Sequence, residues 1–143
     1  MRQSKDHHHI GILIQQIAHL VIQLHNEKLE KEGVTSSQER LLTLLYIQDG
    51  ATQSELQQDL LIKPSSVTKL IDVLEHKGLV TRVSGAQDGR IKRIHLTEKG
   101  KQLEERLWNI KKEMEALLAR SLSSEKSSLL VQLLTTIKND LQH

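Results

Sequence analysis

The sequence predicts a mainly α-helical chain interrupted by one small β-hairpin, an α+β domain in which helices dominate. Three observations carry this expectation. Apolar residues recur at helical spacing through most of the 143 residues. Several of those runs open on Ser or Thr followed three residues later by Gln or Glu, and several close on glycine. Only the stretch SGAQDGRIKRIHLT, Ser84 to Thr97, alternates with period two behind a turn-rich tip.

The first helix is expected from Ile10 to about Glu30, with Ile10, Leu13, Ile14, Ile17, Leu20, Val21 and Leu24 on one stripe. Ile12 and Ile22 lie off it, so this helix should be covered on more than one side. Gly33 ends it. Thr35 and Gln38 then form a capping box for a second helix through Leu41, Leu42, Leu45 and Ile47, which stops at Asp49-Gly50. Thr52 and Glu55 repeat the device before a short helix through Leu56, Leu60 and Leu61. Pro64 suits the first turn of the next helix, which carries Val67, Leu70, Ile71 and Leu74 inward and stops at Gly78.

Two short helices joined by a tight turn form a helix-turn-helix pattern. The inward set of the second leaves Ser65, Ser66, Thr68, Lys69 and Asp72 facing out. Short hydroxyls and a lysine can approach base edges and phosphates. The same residues also suit a solvated first turn. The hairpin that comes next in the chain favours DNA contact. Leu79 to Val83 is β-rich, and the return strand sets Arg90, Lys92, Ile94 and Leu96 against Ile91, Arg93 and His95. A cationic hairpin directly after a helix-turn-helix is placed as a wing for a neighbouring minor groove. The rival reading is an edge hairpin that uses Lys and Arg to discourage strand pairing.

Thr97 is expected to cap a long helix in which Leu103, Leu107, Ile110, Met114 and Leu117 make the narrow stripe of pairing helices. A last helix should open near Ser123 or Ser124 and present Leu129, Leu130, Leu133, Leu134, Ile137 and Leu141. Stripes at both termini call for a partner, and a homodimer is the expectation.

Composition narrows the function classes. Net charge is +2, yet Ile62 to Gly100 holds 8 Lys/Arg against 4 Asp/Glu, a local +4, while the remainder has 12 against 14, or −2. A surface that meets phosphate needs such a concentration. The absence of cysteine excludes disulfides and thiolate metal sites. No signal peptide or bilayer-long apolar run appears, so a cytoplasmic location and no membrane partner are expected. One Trp, one Tyr and no Phe leave no stacking platform for single strands. Neither a phosphate loop, a His-Glu-x-x-His, a nucleophile elbow nor paired catalytic carboxylates are present, which argues against an enzyme.

The segments VTSSQERLLTLL, TQSELQQDLLIKPSSVTKLIDVLEHKGLVTRV and QDGRIKRIHLTEKG together resemble the MarR family of winged-helix regulators, continuously from about Val34 to Gly100. The resemblance implies one domain over 1–143, with a winged helix-turn-helix lobe at 34–100 and dimerisation helices at 10–33 and 101–143. It implies a ligand-responsive repressor that binds double-stranded DNA as a homodimer, on a pseudo-palindrome with half-sites about one helical turn (~10 bp) apart. Ser65, Ser66, Thr68 and Lys69 fall on positions that face the major groove. Asp88 and Arg90 match the Asp-x-Arg wing motif, in which the aspartate steadies an arginine in the minor groove, and Lys92 adds a cation on the return strand. One departure stands out: the family often has arginine between those two, where this chain has Gly89.

The resemblance also implies a small anionic or phenolic effector and no resident cofactor, with Tyr46 and Trp108 as the only large aromatics on offer. A zinc-responsive regulator is the rival, raised by 8 histidines that include His7-His8-His9. The spacing speaks against it, since His19 and His25 lie on different faces of the first helix and the helix after the wing has none. A winged helix used only for protein contacts is a third class. It has no need of the basic wing and hydroxyl face that this chain keeps.

Overall fold

The computed structural model describes residues 9–85 and 87–142, in two compact units that divide after Ile110. The first unit opens with α1 (Ile10–Leu29), a 3-10 turn at Glu30–Glu32, and Gly33 in the left-handed region. The two capping boxes form as expected: Thr35 with Gln38 opens α2 (Ser36–Ile47), and Thr52 with Glu55 opens α3 (Gln53–Leu60). In each, the threonine hydroxyl accepts the N3 amide and the N3 side chain accepts the N-cap amide, which satisfies two donors of the first turn. Helix α4 (Pro64–His76) has proline at its first position, where no N–H is needed. Strands β2 (Val80–Ser84) and β3 (Lys92–Leu96) make the hairpin, followed by α5 (Glu98–Gln102) and the start of α6 (Glu104–Ala119).

The hairpin gains a third strand, β1 (Ala51–Thr52), giving the antiparallel order β1-β3-β2. Ala51 pairs with Ile94, which also faces Arg82 across β2. Two residues are too few to show a period-two pattern, so β1 is invisible in the sequence.

Leu29, Leu41, Leu42, Leu45, Leu56, Ile71, Leu74, Ile94 and Leu107 are fully buried and form one cluster. Burying each contributes about 1.5–3 kcal/mol. Ile47 and Leu61 share the helical spacing but not the burial. Leu61 terminates α3 at φ 58° with its side chain outward, and Arg40 donates to the Leu60 carbonyl at 3.1 Å. At the other end of the lobe, the end of α1 is tied to the start of α2. Asn26 Oδ1 accepts the Ser36 amide at 2.7 Å, His25 Nδ1 lies 3.1 Å from Ser36 Oγ, and buried Glu39 accepts from Thr43 at 2.7 Å. Most of α1 is exposed: Leu29 is its only fully buried residue.

Thr97 caps a helix, but a broken one. Gly100 packs against Leu79, and its carbonyl accepts both the Tyr46 hydroxyl at 2.7 Å and the Leu103 amide at 3.3 Å. The Leu103 amide thus reaches only three residues back, and the α-helical pattern is interrupted at Leu103 before α6 continues. The second unit holds the rest of α6 and α7 (Ser124–Leu141), capped by Ser123, whose hydroxyl accepts the Lys126 amide at 3.1 Å.

A Cβ on Gly100 would collide with the Leu79 carbonyl, which is backbone and cannot swing aside. Gly100→Ala is therefore expected to lower stability by about 1–3 kcal/mol, the usual cost of overpacking. Urea denaturation followed by circular dichroism measures this, and an unchanged midpoint contradicts the packing described.

Candidate nucleic-acid interface

The turn between α3 and α4 is held by its own backbone, with the Ser66 and Val67 amides both donating to the Lys63 carbonyl at 3.0 and 3.1 Å. Val67, Ile71 and Leu74 are buried and Leu70 partly so, as their spacing predicts. Ser65, Lys69 and Asp72 are exposed; Ser66 and Thr68 are half-buried. The Thr68 hydroxyl already has two partners. It donates to the Pro64 carbonyl at 3.1 Å and accepts from Gln53 Nε2 at 2.6 Å. Gln53 thereby joins the first position of α3 to α4, a link with no signature in the sequence.

The hairpin base is anchored on two sides. Arg82 on β2 donates to Asp72 at 2.6 Å, to Glu75 at 2.8 Å and to the Thr68 carbonyl at 3.3 Å, so it clamps the strand to α4. Arg93 on β3 donates to the Gly50 carbonyl at 3.0 Å, and Asp49 Oδ1 accepts the Leu96 amide at 2.8 Å. Arg82, one of the cations in this region's surplus, is thus balanced by its acidic neighbours.

Towards the tip the bonding becomes local. The Gly85 amide donates to the Ile91 carbonyl at 2.7 Å and the Ile91 amide to the Asp88 carbonyl at 3.1 Å. Asp88 Oδ1 accepts both the Arg90 amide at 2.9 Å and Arg90 Nε at 3.2 Å. The Arg90 side chain is nevertheless 92% exposed: braced at its Nε, open at its end. Lys92 Nζ donates to Ser84 Oγ at 3.2 Å. A groove of about 380 Å³ runs between the start of α3 and the return strand, lined by Thr52, Gln53, Ser54, Arg90, Ile91 and Lys92. Among the described residues the Lys63 and Lys69 side chains have no hydrogen-bond or ion-pair partner, so their charges face solvent.

His7 and His8 lie outside the described residues. Among the described residues, no group of three His, Asp or Glu is placed to hold a metal ion, and His25 is engaged with Ser36. No helix of the described residues is long and apolar enough to cross a membrane.

A helix-turn-helix whose second helix is clamped to a cationic, three-stranded wing defines the class: a winged-helix DNA-binding protein. The MarR family pattern matches residues 34–92. The chain is 36% identical over 114 residues to the uncharacterized HTH-type transcriptional regulator YdgJ of Bacillus subtilis (strain 168), covering 78% of this chain and 68% of that one. It is 37% identical over 74 residues to the HTH-type transcriptional repressor MdtR of the same organism, a match covering 52% of this chain and 48% of that relative. In structure it is similar to MepR in the S. aureus MepR–DNA complex, with a TM-score of 0.87, 34% identity, and 92% of this chain and 98% of that one covered. The chain belongs to the MarR family, and it is accordingly a DNA-binding transcriptional regulator and not an enzyme.

Proposed function

We propose that this regulator is a homodimeric repressor that reads a pseudo-palindromic operator and releases it in response to a small anionic or phenolic molecule. The observation that carries the DNA-reading part is Arg90, almost wholly exposed yet steadied by Asp88. In this reading Ser65, Ser66, Thr68 and Lys69 face the major groove, Arg90 enters the adjacent minor groove, Asp88 orients it and Lys92 meets a phosphate. The likeness to MepR, whose complex with DNA has been solved, supports it, and the similarity to the repressor MdtR supports repression.

The lobe at 34–100 then serves DNA, and the helices at 10–33 and 101–143 serve dimerisation. Ile17, Leu20 and Leu133 are each more than half exposed on α1 and α7, within stripes that also bare Leu13, Ile14, Leu129 and Leu130. Open apolar stripes on each of these helices mark surfaces that take a partner. For the effector, a cleft of about 510 Å³ at the far end of α4 is lined by Lys31, Lys77, Lys99 and Arg106 over Leu79 and Leu103. Glu32, its one acid, pairs with Arg106 at 2.7 Å, and Lys77 and Lys99 bond only to uncharged oxygens. An anion with an apolar body fits that chemistry. Nothing comparable among the described residues favours zinc.

Arg90→Ala is expected to weaken binding to many duplexes alike and to reduce the salt slope by about 0.9 for each phosphate it no longer neutralises. Gly89 has no positive φ and open space at its Cβ, so Gly89→Arg should be accommodated and should steepen that slope. Fluorescence anisotropy at two salt concentrations reads both, and parent-like slopes in both variants remove the wing from the interface. Light scattering at micromolar concentration is expected to give twice the 16.3 kDa chain mass; a folded monomer rules out the dimer. Calorimetric titration with benzoate at fixed ionic strength should show saturable binding that Lys31→Gln and Lys99→Gln each weaken. Heats identical in parent and variants place any effector elsewhere.

A further inference from the structure

We infer that Thr68 reads DNA through its methyl group and not its hydroxyl, and that Gln53 is the positioning residue that sets this choice. The inference rests on the assignment of α4 as the DNA-reading helix. A threonine on a helix has two side-chain rotamers within reach, because its hydroxyl can turn back to the carbonyl one turn earlier. Here it has turned back, to Pro64 at 3.1 Å. A carbonyl only accepts, so the single hydroxyl proton is used there. The Gln53 contact at 2.6 Å must then run from the amide NH2 to Thr68 Oγ1, which also fixes which way round the carboxamide lies.

Turning the hydroxyl towards a base would leave the Pro64 carbonyl and the Gln53 amide each one bond short. Gln53 has little freedom to follow. It sits at the first position of α3, immediately after Thr52, whose capping box is complete, and it is itself half-buried. With the oxygen facing Pro64 and α3, the remaining Cβ substituent, the methyl, is what Thr68 offers on the open side of α4. In the major groove the apolar partner for a methyl is the thymine C5-methyl group. Thr68 therefore selects thymine by contact, and Gln53 selects the face Thr68 shows.

Selection of bound duplexes from a random pool, sequenced for the parent, Thr68→Val, Thr68→Ser and Gln53→Ala, tests this for any operator sequence. Base preference is the readout, because a purely structural role changes affinity and leaves the preferred base alone. The parent and Thr68→Val should share a thymine at one position of each half-site, while Thr68→Ser and Gln53→Ala should lose it. Replacing that thymine by deoxyuridine should then weaken the parent about fourfold, the worth of one buried methyl at ~0.8 kcal/mol, and leave Thr68→Ser unchanged. Loss of the preference in Thr68→Val with retention in Thr68→Ser shows that the hydroxyl reads the base, and overturns the inference. A parent-like motif in Gln53→Ala removes Gln53 from it. If the parent enriches no motif at all, the assignment of α4 fails first and the inference falls with it.

Discussion

Helix α4, the wing and the helix that leads out of the lobe all meet at one point, the chain reversal at Gly78-Leu79. Gly78 takes φ 76°, a conformation that an L side chain adopts only with strain, and this lets the chain leave α4 straight into β2. Thr97 closes the junction from the other side. Its hydroxyl donates to the Gly78 carbonyl at 2.6 Å and accepts the Gly100 amide at 3.1 Å, while its own amide donates to the Leu79 carbonyl at 3.0 Å. One residue therefore grips the turn after α4, anchors the hairpin base and starts α5. Tyr46 holds the last partner in place through Gly100. Burial, and then Glu104 and Glu39, push its phenol up to about 12, so it stays a donor across all ordinary pH.

The same junction sorts the cations. A local surplus of +4 suggests a uniformly basic face, but the geometry divides it. Arg82 is balanced by Asp72 and Glu75, and Arg93, Lys77 and Lys99 bond to backbone carbonyls. Arg82 ties β2 to α4, Arg93 ties β3 to the chain before β1, and Lys77 and Lys99 tie the end of α4 to Gly33 and to α5. Lys63, Lys69, Arg90 and Lys92 keep their charge outward, at the turn, the first half of α4 and the wing. Arginine suits the strut at 82 because its planar fork reaches two carboxylates and a carbonyl at once; lysine, a point charge, cannot.

The range of each interaction decided how far the sequence could be read. Caps, glycine stops and apolar stripes are interactions among residues three or four apart. Accordingly Thr35, Thr52, Pro64, Gly78, Ser123 and the inward set of α4 could all be placed. The Asp88–Arg90 brace spans two residues and was legible through the motif. Partnerships over longer separations left no trace: β1 on β3, Arg82 on Asp72, Gln53 on Thr68. The bond from the Tyr46 hydroxyl to the Gly100 carbonyl, beside the helix break at Leu103, belongs to the same class, since it spans 54 positions. Thr68 shows the functional consequence. Its residue type suggested a hydroxyl for the groove, but the Pro64 carbonyl takes its proton and the distant Gln53 takes its acceptor side.

Bond range also divides labour within the lobe. Helix α4 is fixed at its start by Gln53, along its side by Arg82 and at its end by Thr97, so its outward side chains keep one geometry. Specificity requires that, because a base contact loses its discrimination when its donor or methyl is free to shift. Beyond Ser84 the hydrogen bonds of the described tip residues run within the tip, from Gly85 to Ile91 and from Asp88 to Arg90. In the proposed reading, such a tip follows the width of a minor groove, which varies with sequence, while its charge contributes affinity. The rigid element is therefore suited to discriminate and the adaptable one to hold. Because the Gly78–Thr97 junction carries the base of both, anything that displaces it moves the two together.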